Sequence, residues 1–173
     1  MWGSIRPHFF RGVATVVAKL LNIVQPTHAF FGQKDVQQCA VVRSMVRDLH
    51  FPTEVVVVPT IREPDGLAMS SRNRYLAPNE RLAAPVLYRA LLAAESAFAA
   101  GVHDRNALLA AARSVIDKEP AAAFEYVSIA DPFSLQEVDA VDPAVGAILS
   151  GAVRIGSTRI IDNILLGMPA SRL

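Results

Sequence analysis

The chain has a single cysteine, Cys39, among 173 residues. That excludes an internal disulfide and any zinc centre built on cysteines, and Cys39 itself reads as a small core residue on a helix. Aromatics are few at 7%, and 17 basic residues face 16 acidic ones for a net charge of +1. With no basic run either, the chain lacks the footprint of a nucleic-acid-binding surface, so any anion must be held by a local site. The four histidines, His8, His28, His50 and His103, have no close ligand spacing, which argues against a transition-metal site made by the protein. No apolar run approaches the roughly 20 residues that span a bilayer, and the start carries no signal-peptide pattern. A soluble, cytoplasmic chain with no membrane or nucleic-acid partner is the expectation.

Hydrophobic residues make up 52% and charged residues 19%, enough apolar content for one domain or two small ones. The densest cluster of phosphate-handling chemistry is Asp65-Gly66-Leu67-Ala68-Met69-Ser70-Ser71-Arg72-Asn73, with Arg62 just upstream. Two hydroxyls can each donate a hydrogen bond, and a guanidinium can grip two phosphate oxygens as a fork. The plainer reading is a solvated loop of turn formers. A second polar cluster, Gly32-Gln33-Lys34-Asp35, lies at another strand-to-helix junction.

In chain order, residues 1–10 read as irregular. From Gly12, Val13, Val16, Val17, Leu20, Leu21 and Val24 recur on one helical face until Pro26 stops it. His28 to Phe31 reads as a short strand ending at Gly32. Asp35 can cap a helix to about Leu49, with Val36, Ala40, Val41, Met45 and Leu49 inward. The run 54–58 is four β-branched, apolar valines after Glu54, the mark of a strand covered on both faces. Strand, helix, strand is a crossover unit of a parallel sheet, in which ligands sit beyond the carboxyl ends of the strands. Gly32 to Asp35 and the stretch 59–73 are therefore predicted to share one rim.

Beyond Tyr75 the composition turns alanine-rich. Pro78 suits the first turn of a helix with Leu82, Val86, Leu87, Ala90, Leu91, Ala94 and Phe98 inward, bent at Pro85 and ended by Gly101. Asp104 can cap another helix to about Lys118. Strands are predicted over 124–129, 147–153 and 158–164, the last two forming a hairpin about Gly156-Ser157. The fold class expected is α/β: a partial Rossmann-like parallel sheet over 1–75, then a small α+β domain over 76–173. A parallel sheet of two strands has little chance of standing alone, so the first part reads as the second half of a larger nucleotide fold.

Several motifs, in order and at matching spacing, resemble the pantothenate synthetase (pantoate–β-alanine ligase) family. They are Arg6-Pro7 with Phe10-Arg11-Gly12-Val13, Phe31-Gly32-Gln33-Lys34-Asp35 with Gln37-Gln38, the 65–73 cluster with Tyr75-Leu76, and Arg159-Ile160-Ile161-Asp162-Asn163. The resemblance implies a nucleotidylyltransferase-like fold and an ATP-dependent ligase using magnesium. Pantoate's carboxylate would attack the α-phosphate of ATP to give pantoyl adenylate, and the amine of β-alanine would then displace AMP. It implies ATP contacts at Gly32, Gln33, Lys34, Asp35, Ile61, Met69, Ser70, Ser71 and Arg72, catalytic roles for Lys34, Ser70, Ser71 and Arg72, and a pantoate contact at Gln38. It also implies a homodimer. Asp35 could face the ribose or magnesium, or merely cap its helix. Arg159 and Asp162 read best as a charge pair in the C-terminal hairpin.

The sequence departs from the family's pattern in three ways. The family's N-terminal half, with its His-x-Gly-His-type signature, is not found in these residues. Phe9 stands where the family carries a histidine, and Gln33 where a glutamate is common. Impaired turnover by this chain alone is thus expected. The competing readings are a non-catalytic remnant or interaction module of the same fold, and a different adenylate-forming relative.

Overall fold

A computed structural model describes residues 9–169 and divides the chain into two compact units, one running to Pro59 and the other from Thr60 to Met168. The stretch 60–75, which the sequence grouped with the first half, thus makes its contacts within the second unit. The first unit contains helix α1 (Phe9–Val24), strand β1 (His28–Gly32), helix α2 (Val36–Asp48) and strand β2 (Glu54–Val58). β1 and β2 are parallel, with Gly32 beside Val58, so the chain leaves both strands at one end of the sheet.

Three helix readings are corrected here. Helix α1 is already formed at Phe9, and its inward stripe is narrower than the periodicity implies: Leu21 is buried, whereas Val16, Leu20 and Val24 are exposed. Helix α2 is preceded by a 3-10 turn, Gln33–Asp35. Asp35 occupies the cap position, but its side chain makes no cap hydrogen bond, because its backbone (φ −102, ψ 55) lies outside the extended region that aims a cap side chain at the first turn. The buried face of α2 is Val36, Cys39 and Val42, and Leu49 lies past its end, exposed. β2 buries Val55 and Val57 on one face while Val56 is half-buried, so among the described residues its apolar run is not fully covered on both faces.

The second unit is a three-stranded antiparallel sheet in the order β3 (Ala122–Ala130), β4 (Ala147–Ile155), β5 (Thr158–Leu166), with helices α3 (Pro78–Ala83), α4 (Val86–Ala99) and α5 (Arg105–Ile116). Its core joins Leu87, Leu91 and Ala94 of α4, Leu108, Ala112 and Ile116 of α5, and Ile129, Leu149, Val153 and Ile164 of the sheet. Pro78 starts the expected helix, but Pro85 divides it into two rather than bending it, and Leu82 is 79% exposed. Proline lacks the N–H that a continuous helix needs there. The Pro78–Ala99 stretch is long and apolar enough to cross a membrane by composition, yet its buried residues belong to this core.

Helix ends follow their residues. Gly101 has φ +93, its N–H is bonded to Phe98 O and that of Val102 to Ala97 O, a Schellman termination of α4. Asp104 caps α5 by accepting from the Ala107 N–H at 2.8 Å. Gly156 (φ +54) and Ser157 close the two-residue hairpin between β4 and β5, with Ile155 facing Thr158.

Candidate functional site

In the first unit, the candidates line up where β1 ends. Gly32 is exposed and extended (φ −74), and a Cβ added there would meet nothing within 4 Å. Gln33, Lys34 and Asp35 form the 3-10 turn, with Gln33 buried, Lys34 half-buried and Asp35 exposed. Gln38 lies half-buried in the first turn of α2. Its neighbour Gln37, which carries no assigned role, has a buried Nε2 with no hydrogen-bond partner among the described residues. Beneath the turn, the Cys39 thiol donates to Gly32 O at 3.4 Å, and burial pushes that thiol up to about 11.

The remaining candidates stand in the second unit, on a small hairpin. Arg62 and Ala68 form an antiparallel bridge, with Glu63 N–H donating to Leu67 O and Met69 N–H to Ile61 O, both at 2.9 Å. The turn is Glu63-Pro64-Asp65-Gly66, closed by Gly66 N–H on Glu63 O at 2.9 Å. Asp65 accepts from the Leu67 N–H and from the Arg81 guanidinium. That guanidinium above all, with the Leu67 N–H, holds the Asp65 carboxyl below the usual carboxylate range. The outgoing arm carries Met69 and Ser70 into a 3-10 turn, Ser71–Tyr75. Ser70 Oγ accepts from the Arg72 N–H at 3.3 Å, which leaves its own O–H available as a donor. Ile61, Met69, Ser71 and Arg72 are exposed.

Arg62, grouped by sequence with the phosphate cluster, is instead engaged inside the unit. Its two terminal nitrogens fork onto Asp162 at 2.5 and 3.1 Å, Nη1 also donates to Gly66 O at 3.1 Å, and the guanidinium lies 3.8 Å from the Tyr88 ring centre. This corrects the expected Arg159–Asp162 pair. Residues three apart on a strand face opposite sides of the sheet. Asp162 therefore turns to the side of Ile160 and Ile164 and meets Arg62, while Arg159 turns away and pairs with Glu125 at 2.6 Å. The signal for Arg62 was legible in one place: an aspartate between inward isoleucines on a strand requires a cation.

Among the described residues no group of three or more His, Cys, Asp or Glu could hold a metal ion.

The fold so defined is a mixed α/β chain, a parallel pair of strands with its helices and a separate three-stranded antiparallel sheet. It matches the pantothenate synthetase of Thermus thermophilus with a TM-score of 0.87 at 47% identity, covering 95% of this chain and 58% of that one. A Francisella tularensis pantoate–β-alanine ligase, solved as a complex with β-γ ATP and β-alanine, matches with a TM-score of 0.65 at 30% identity, covering 99% of this chain and 56% of that one. The pantothenate synthetase of Chloroflexus aggregans is 60% identical over 164 residues, 95% of this chain and 59% of that protein. The family model for pantoate-beta-alanine ligase matches residues 1–165. The chain belongs to the pantoate–β-alanine ligase family, and it spans about three-fifths of the length of the relatives it matches.

Proposed function

We propose that the chain supplies the ATP-holding part of a pantoate–β-alanine ligase, a cytoplasmic and homodimeric enzyme. The observation that carries this is the family match across residues 1–165, which includes both polar clusters. In this reading pantoate's carboxylate attacks the α-phosphate of ATP and releases pyrophosphate, and the amine of β-alanine then displaces AMP. Charge builds on the phosphate oxygens in the first step. Lys34 and Arg72 oppose that charge, the Ser70 and Ser71 hydroxyls donate to it, and Gln38 holds pantoate. Gly32, Gln33, Asp35, Ile61 and Met69 complete the nucleotide contacts.

Three structural features support these assignments. A Cβ at Gly32 would meet nothing within 4 Å among the described residues, which leaves room for a ligand to approach the backbone. The Ser70 hydroxyl is oriented by the Arg72 N–H rather than used up by it. Magnesium would arrive on the triphosphate, which agrees with the described residues holding no cluster of three or more metal-ligating side chains, since magnesium keeps much of its water and binds through phosphates.

Calorimetric titration of the chain with Mg·ATP tests the reading. Measurable affinity is expected, and Arg72→Ala should weaken it by about 1.5–3 kcal/mol, the worth of a hydrogen bond to a charged group. Unchanged affinity in that variant would remove Arg72 from the site. AMP release from ATP, pantoate and β-alanine by these residues alone is expected to be slight, because they cover only 59% of a 60%-identical relative.

A further inference from the structure

The buried pair that anchors the 61–69 hairpin has no assigned role. We propose that Arg62 is the positioning residue of the 70–72 segment: clamped by Asp162 and Tyr88, it fixes the hairpin whose outgoing arm carries Ser70, Ser71 and Arg72. The proposal rests on the reading of those three residues as triphosphate contacts.

Four observations converge on it. The pair is deep: the Asp162 side chain is 2% exposed and that of Arg62 18%. It is bidentate, and Asp162 is further satisfied by the Asn163 N–H at 2.8 Å. Arg62 reaches across its own hairpin to Gly66 O, so one side chain ties the turn, the incoming arm and β5 together. The Tyr88 ring also packs on the turn, because a Cβ at Gly66 would stand 2.3 Å from Tyr88 Cδ1. A guanidinium meets all of these demands at once. It presents a planar fork to the carboxylate, a further donor to the carbonyl and a flat face to the ring, whereas an ammonium presents a single point charge.

The hairpin's outgoing arm continues directly into the 3-10 turn. Met69 N–H is bonded to Ile61 O, Asn73 Nδ2 to Ala68 O and Asn73 N–H to Ser70 O. Loss of the clamp would let this arm move as a unit while the α4, α5 and sheet core stays packed. Half-buried Ser70 and exposed Ser71 and Arg72 would then reach a triphosphate from many geometries instead of one, and affinity would fall through lost preorganisation.

The test is Arg62→Lys, which keeps the charge and loses the fork, with Asp162→Asn as the second variant should the lysine chain not fold. Amide exchange at Met69 and Asn73 is read against Leu149 and Leu91, alongside Mg·ATP titration. Expected are exchange at least about tenfold faster at Met69 and Asn73 with Leu149 and Leu91 unaltered, and Mg·ATP affinity about tenfold weaker. Unaltered exchange at Met69 and Asn73, or equal loosening at Leu149 and Leu91, overturns the clamp. Faster hairpin exchange with unchanged affinity overturns the link to binding. Arg72→Ala separates the two ideas: if it too leaves affinity unchanged, the triphosphate reading is at fault, and the exchange data still judge the clamp.

Discussion

Aspartates in this chain do opposite things according to what faces them. Asp162 is buried and held by a fork, while Asp65 is exposed and held from the rim by Arg81. The Asp65 carboxyl sits below its ordinary range chiefly because of that guanidinium, and Asp131 is lowered mainly by the Ser134 N–H. A carboxyl lowered in the folded state binds fewer protons than in the unfolded chain. Its support is therefore complete above the unfolded value near about 4, and is lost as pH falls through the folded value. Asp65→Asn should give a shallower fall of melting temperature below about pH 4 and a loss of at most about 1 kcal/mol at neutral pH, since the pair is solvent-screened. Parallel melting curves for both proteins across that range would show that the Arg81 contact does not matter to folding. The residue scale is also where sequence reading was weakest. Composition marks Arg62, Arg159 and Asp162 as polar, but their ion-pair partners lie 34 to 100 positions away. Only the alternation along β5 discloses that Arg159 and Asp162 face opposite ways.

Elements were far more legible than pairings. The β1–α2–β2 order, the three later strands and the Gly156-Ser157 hairpin all follow from alternation and turn residues, because these are local properties of the chain. What periodicity does not give is which part of a broad apolar stripe finds a neighbour, as Val16, Leu20, Leu49 and Leu82 show by their exposure. Two glycines allow the turn chemistry to be measured. Gly101 has φ +93 in open space, so Gly101→Ala should cost only the left-handed backbone penalty, about 1–2 kcal/mol. At Gly156 (φ +54) an added Cβ would also fall 1.9 Å from Glu80 Oε1. Glu80 can swing away, but it would then abandon the Ala77 N–H it accepts at 2.8 Å at the start of α3. Gly156→Ala should therefore cost more than Gly101→Ala in urea titrations with unchanged slope. The reverse order would mean that the hairpin turn and the α3 cap are not coupled.

At the scale of the whole chain, the two units are unequally built. β4 is bonded on both sides, and every residue in it but Arg154 is buried; β3, β5 and two helices contribute to that core. The first unit has a two-stranded sheet, β1 contributes no buried residue, and Phe30 is 67% exposed. Strand pairs of this kind are marginal without further neighbours. Local opening free energy tracks buried apolar contact, so native-state amide exchange should be graded rather than uniform. Amides of β1 and β2 are expected to exchange at least about 100-fold faster than those of Leu149 and Ala152 in β4. Saturating Mg·ATP should slow the first set if Gly32 to Asp35 bind the nucleotide, because a ligand stabilises only the state that holds it. Equal protection of Val56 and Leu149 without ligand would show instead that the first unit is as firmly folded as the second. The sequence's description of it as the second half of a larger sheet would then lose its physical basis.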